Sequence, residues 1–265
     1  MKSITFQEKK IAYQSEGKGA PVIFVHGFGM DSSVWDEFKP EIVKAGYQVI
    51  TLDLPGFGKS EAVENASIEI MSDIIHELLS HLNITKIVYI GHSMGGYIGM
   101  AFAEKYSNQL LGLGMFHSHP YADTEEKKEG RRRSIEVVQT KGTPLFVKQL
   151  IPGFFAAKFV KSNSFLVDKL VHRASAYSPQ AIITALQAMR DRPDRSAVLQ
   201  TFKQPVLFII GKEDTAIPQD ASMNQMTLPD MSSIVILEEV GHMGMFEARK
   251  KTQQAVIEFL KWCIK

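Results

Sequence analysis

Apolar residues along this chain fall in short runs separated by stretches of helical spacing. Val22-Ile-Phe-Val25 is a compact β-branched run that ends at His26-Gly27. Trp35, Phe38, Ile42 and Val43 then recur at intervals that put them on one side of a helix. Residues 48–53 form a second run. After a loop rich in Gly and Pro, Ile70, Ile74, Leu78 and Leu82 predict a helix over 68–82. Residues 87–90 are a third strand-like run, 94–106 read as helix, and 110–116 read as strand. The rhythm returns at 205–210 and 233–237, both strand-like, and residues 245–262 close as an amphipathic helix. At the start, Ile4, Phe6, Ile11 and Tyr13 alternate with polar residues and suggest an opening hairpin. Continuous apolar strands alternating with helices predict an α/β fold with a mostly parallel sheet covered on both faces.

Residues 120–199 break this rhythm. They begin in the charged run Thr124-Glu-Glu-Lys-Lys-Glu-Gly-Arg-Arg-Arg133 and show helical patterns without a convincing strand. A single crossover needs only about a dozen residues. The stretch is therefore read as a helical cap, 120–199, inserted into a core made of 1–119 and 200–265. It is expected over the carboxyl ends of the strands, where open α/β sheets bind ligands.

Composition narrows the function classes. The chain has 265 residues, 45% apolar and 22% charged, ordinary values for a globular core. A net charge of +1 gives no bulk field to attract nucleic acid or an anionic membrane. No apolar stretch reaches the roughly 20 residues that span a bilayer, and the mixed N-terminus lacks the features of a signal peptide. Cys263 is the one cysteine, so no intrachain disulfide forms. A soluble, cytoplasmic protein with a small-molecule substrate and neither a nucleic-acid nor a membrane partner is expected. Oligomeric state is not legible.

The candidate chemistry centres on Gly91-His92-Ser93-Met94-Gly95, which directly follows the 87–90 run and opens a helix. This is the strand–turn–helix setting of a G-x-S-x-G nucleophile elbow, in which a strained turn lifts the serine above the sheet edge. The following helix N-terminus offers free N–H groups to developing negative charge. One oxyanion donor is then the Met94 N–H, and the second is assigned to the Phe28 N–H, in the His26-Gly-Phe-Gly29 loop after the first buried run. His26 is read as a pin for that loop, and His92 as pointing away from the pocket.

A serine hydroxyl needs a base, and the base an orienting acid. Gly211-Lys-Glu-Asp214 and Gly241-His242 each follow a late strand, in the order Ser, acid, His. His242 is assigned as base and Asp214 as acid, with Glu213 the neighbouring alternative. His117 and His119 end the 110–116 strand and are read as candidate substrate contacts. The alternative of a metal site with Asp123 is not adopted, and no metal or cofactor is expected. Arg131-Arg-Arg133 is read as a solvated helix face, alternatively as an anchor for an acidic substrate group. Phe146, Phe154, Phe155 and Phe159, with Met30, suggest an apolar pocket or plain cap core.

These residues together resemble the α/β-hydrolase superfamily, in the group with a helical cap. The resemblance runs nearly end to end and rests on His26-Gly-Phe-Gly29, Asp53-Leu-Pro-Gly-Phe-Gly-Lys-Ser60, Gly91-His-Ser-Met-Gly-Gly96, Gly211-Lys-Glu-Asp214 and Gly241-His242. It implies an eight-stranded sheet, no cofactor, acylation of Ser93, and deacylation by water that His242 activates. It leaves the substrate open, because fold does not fix function. Cleavage of a small, mainly apolar ester or lactone is expected. Carbon–carbon bond hydrolysis and a triad-retaining ligand receptor are the alternatives. Dehalogenases and epoxide hydrolases of this fold use an aspartate where this chain has Ser93.

Overall fold

The structure, a computed structural model, describes residues 1–264. Eight strands form one sheet: β1 (Lys2–Phe6), β2 (Lys9–Glu16), β3 (Pro21–Val25), β4 (Gln48–Leu52), β5 (Ile87–His92), β6 (Leu110–Phe116), β7 (Val206–Gly211) and β8 (Ser232–Leu237). Twelve helices accompany them: α1 (Lys39–Lys44), α2 (Ile68–His81), α3 (Met94–Tyr106), α4 (Glu125–Lys141), α5 (Thr143–Leu150), α6 (Ala157–Ser162), α7 (Ser164–Ser175), α8 (Pro179–Asp191), α9 (Ser196–Thr201), α10 (Gln219–Asn224), α11 (Gly244–Glu247) and α12 (Arg249–Cys263).

The sheet order is β1-β2-β4-β3-β5-β6-β7-β8. β1, β2 and β4 pair antiparallel, and every pairing from β4 through β8 is parallel. The central strands are buried along their whole length, which is why they read as unbroken apolar runs. β1 and β8 are the edges, and Ile234 and Ile236 of β8 are exposed. The chain leaves β3 toward β4 on one side and β5 lies on the other. The loops after β3 and β5 therefore meet at a topological switch point, where sheets of this kind hold ligands.

Two predicted helices are broken. The helix through Trp35 and Val43 is instead a 3₁₀ turn, Ser32–Trp35, followed by α1. Asp31 caps the turn by accepting from Ser33 N–H, and Pro40, which has no N–H to give a continuing helix, starts α1 afresh. The closing helix is split at Ala248, whose φ of −135° is not helical. In α2 the buried stripe is Ile68, Met71, Ile74–Ile75 and Leu78–Leu79, so Ile74 and Leu78 face the core as expected while Ile70 and Leu82 lie at its margin.

Between β6 and β7 the regular elements are all helical, α4–α9 with a 3₁₀ turn at Ile151–Phe154, and no strand interrupts them among the described residues. Their two ends are joined, since Arg195 N–H donates to Pro120 O at 2.9 Å. Among the described residues, no helix is long and apolar enough to cross a membrane.

Candidate active site

Ser93 sits between β5 and α3 with φ 52° and ψ −116°, a conformation a non-glycine residue adopts only under constraint. The constraint is visible in its neighbours. A Cβ on Gly91 would fall on the backbone of Gly95, and one on Gly95 would fall on the carbonyl of Val25. The turn is held by Ser93 N–H donating to Phe116 O at 3.0 Å and by Ser118 Oγ donating to Ser93 O at 2.8 Å. Ser93 is 9% exposed, and that exposure opens into a cavity of about 890 Å³.

The sequence-assigned acid and base meet as expected. His242 Nδ1 lies 2.8 Å from Asp214 Oδ2. Asp214 Oδ1 accepts from the N–H groups of Ala216 and Ile217 at 2.9 and 3.0 Å. Burial works against its charge most strongly, yet His242 and His117 outweigh burial and hold the carboxyl well below the usual range. Glu213 is exposed and does not face the site. Ser93 and His242 line the same cavity; among the described residues no hydrogen bond joins them, a common looseness in unliganded sites.

The loop after β3 carries Phe28, which also lines this cavity. Neither Phe28 N–H nor Met94 N–H donates to another backbone group among the described residues, so both remain free for a ligand oxygen. His26 is fully buried; its Nε2 accepts from Leu54 N–H and its Nδ1 donates to Gly27 O, both at 2.9 Å. It pins the loop, as expected. Asp53 does the same from beneath, accepting from Ser32 and Lys59 N–H.

His117 and His119 were expected at the mouth, but both are buried and neither lines the cavity. The chain turns inward directly after β6, at His117 with φ 49°. His117 Nδ1 faces Asp214 Oδ2 at 3.2 Å, while its Nε2 has no partner. Burial pushes it below the usual histidine range, against the pull of Asp214. His119 is pushed down to about 3, by burial first and then by the nearby cations Arg192 and Lys127. Asp123 does not join these histidines. It is bound by Arg131 and by Arg192, the latter at 2.8 Å.

His117, Asp214 and His242 do offer three metal-capable atoms within 4.8 Å of one another. A cation there would need the Nδ1 lone pair of His242, and so would displace the bond that orients its ring. Phe146 and Phe154 line the cavity, whereas Phe155 and Phe159 stack on one another at 5.3 Å and Met30 is core.

Three supporting groups were not legible in the sequence. Glu247 accepts from Gly241 N–H at 3.1 Å, Met243 N–H at 3.0 Å and Ala156 N–H at 2.8 Å. It thus clamps both flanks of His242 and ties them to the segment between β6 and β7. His92 points away from the cavity, as expected, and its Nε2 donates to His242 O at 2.9 Å. His242 N–H in turn donates to Phe154 O at 2.6 Å. Except for the Glu247 bonds to Gly241 and Met243, these pairings are long-range, with no local pattern.

Residues 20–133 match the family model of the alpha/beta hydrolase fold. A thermophilic esterase from Thermogutta terrifontis, solved with malate bound, is 30% identical, covers 99% of this chain and 98% of its own, and superposes with a TM-score of 0.93. A 2-hydroxy-6-oxononadienedioate/2-hydroxy-6-oxononatrienedioate hydrolase from Escherichia coli K12 is 27% identical over 95% of this chain and 91% of its own length. The dihydrolipoyllysine-residue acetyltransferase component of the acetoin cleaving system of Pseudomonas putida is 29% identical over 92% of this chain, which spans 64% of that protein. With an end-to-end likeness to a solved esterase and the elbow, loop and paired His–Asp in place, the chain belongs to the α/β-hydrolase superfamily and is a hydrolase of that fold.

Proposed function

We propose that the protein is a serine hydrolase that cleaves a small carboxylic ester or lactone through an acyl-enzyme. The observation that carries this reading is the strained Ser93 opening onto one cavity with His242, whose far ring nitrogen is bound to Asp214. Ser93 Oγ attacks the carbonyl carbon as His242 Nε2 takes its proton, and Asp214 stabilises the imidazolium. The oxyanion enters between the N–H groups of Phe28 and Met94, each such donor being worth roughly 3 kcal/mol. The carbonyl re-forms, the C–O bond breaks, and His242 returns its proton to the leaving alkoxide. Water then attacks the acyl-Ser93 ester with His242 as base, and the acid is released. Helices α4–α9 act as a cap that shields this chemistry from bulk water. The single cysteine accords with a reducing compartment such as the cytoplasm.

Steady-state release of p-nitrophenol from short acyl esters tests the proposal. Turnover that collapses in Ser93→Ala is the expected result. No turnover at any acyl length, with a ligand still bound, would instead favour a receptor. Likeness to the Escherichia coli hydrolase over 95% of the chain supports a second reading, hydrolysis of a carbon–carbon bond in a vinylogous diketone. A panel of such diketones beside the esters separates the two, since only the favoured class shows the higher kcat/KM.

A further inference from the structure

Helix α4 forms one wall of the Ser93 cavity, and its charges are not balanced there. On the outward side Glu125 pairs with Lys128 at 2.7 Å, and Glu129 pairs with Arg132 at 2.8 Å. Those spacings of three residues neutralise that side locally. The inward side presents Lys127, Arg131 and Arg133 to the cavity, with Glu126 as the only carboxylate lining it among the described residues. Lys127 Nζ donates to Ala216 O at 2.7 Å and has no carboxylate partner among the described residues. Arg133 is exposed at the mouth and likewise unpaired. Arg131 must share Asp123 with Arg192, which lies buried behind the wall.

Three cations and one carboxylate, Glu126, therefore line this wall, with Arg192 and Asp123 paired behind it and Asp214 acting on Lys127 from farther off. The excess is felt by groups nearby. Half-buried Lys127 is pushed below the usual lysine range, by burial first and then by Arg131. His119 is held neutral by burial and then by the same cations. The lining also carries apolar side chains, among them Phe28, Phe146 and Leu186.

We infer that the α4 wall is a binding subsite for a carboxylate carried by the substrate, so that the ester or lactone bound here is itself an anion. Its scissile carbonyl lies at Ser93, its apolar stem lies along Phe28 and Phe146, and its free carboxylate meets Lys127 and Arg133. The inference rests on the serine-hydrolase reading above and names the substrate class of that site.

Phenol release from monophenyl adipate, compared with release from its neutral methyl phenyl diester, is the test. Wild type is expected to favour the free acid by roughly tenfold in kcat/KM at low salt, as a charge-assisted contact in a partly dry site allows. That ratio is expected to fall toward one in Lys127→Gln and to fall partway in Arg133→Gln. A wild-type ratio of one or less overturns the subsite while leaving the hydrolase reading intact, as does a ratio unmoved by both substitutions. If neither ester is turned over, calorimetric titration of adipate still decides. Binding weakened roughly tenfold in Lys127→Gln supports the subsite without the chemistry, and absent or equal binding overturns it.

Discussion

His117 shows how much one side chain can do without touching the cavity. Its Nδ1 and that of His242 both face Asp214 Oδ2, at 3.2 and 2.8 Å. The carboxylate thus divides its charge between two rings, and a share withdrawn by His117 is a share not given to His242. Removing the His117 donor leaves His242 as the one ring bonded to Asp214 Oδ2 and frees the carboxylate to shift. In His117→Ala, kcat near neutrality is then expected to fall by roughly tenfold with KM little changed, as the acid loses a fixed partner. His117→Asn supplies an N–H at a similar reach and tolerates the positive φ, so it should restore most of the loss. An unchanged kcat in His117→Ala would show that the ring is filling space only. Of the residues at the site, Ser93, Asp214 and His242 are legible because each lies within five residues of the end of a strand, close to a glycine. His117 also follows a strand, but nothing local reveals that it turns inward toward a residue 97 positions later.

At the scale of elements, the strands and the helices α2 and α3 were readable because burial on one face or both writes a period into the sequence. The two broken helices were not, although their apolar spacing was correct. Pro40 and the non-helical Ala248 divide them, and periodicity carries no record of backbone breaks. The helices between β6 and β7 were readable as a class, but not in their contacts. Glu247 is the clearest case. Its carboxylate holds Gly241, Met243 and Ala156 together, 6, 4 and 91 positions away. Hydrogen bonds to a charged group of this kind contribute about 1.5–3 kcal/mol net. Glu247→Gln keeps one accepting oxygen and turns an NH₂ toward N–H groups that need an acceptor. We expect it to cost about 2–3 kcal/mol, a fall in Tm of several degrees, together with a lower kcat as the His242 loop loosens. A variant with wild-type Tm and kcat would show that the clamp is idle.

For the whole molecule, the consequence of this packing is acid sensitivity. His26, His92, His117 and His119 are all buried, and burial lowers each of them from the usual value of 6.5, His119 to about 3. In the unfolded chain they take up protons as pH falls below about 6.5, while in the folded chain they stay neutral. The unfolded state then binds more protons, so stability is complete above that pH and declines below it. Each such histidine contributes up to about 1.4 kcal/mol per pH unit in that window. The urea midpoint is therefore expected to drop steeply between pH 7 and 5, before the carboxylates begin to titrate. A flat midpoint over that range would mean that the buried rings take up protons without unfolding.

The proposed chemistry turns on Ser93 as the nucleophile. A fluorophosphonate reagent followed by peptide mass spectrometry tests it at the atom in question. A single adduct is expected on the peptide containing Ser93, absent in Ser93→Ala and strongly slowed in His242→Ala. An adduct that persists in Ser93→Ala, or that maps to another serine, would contradict it.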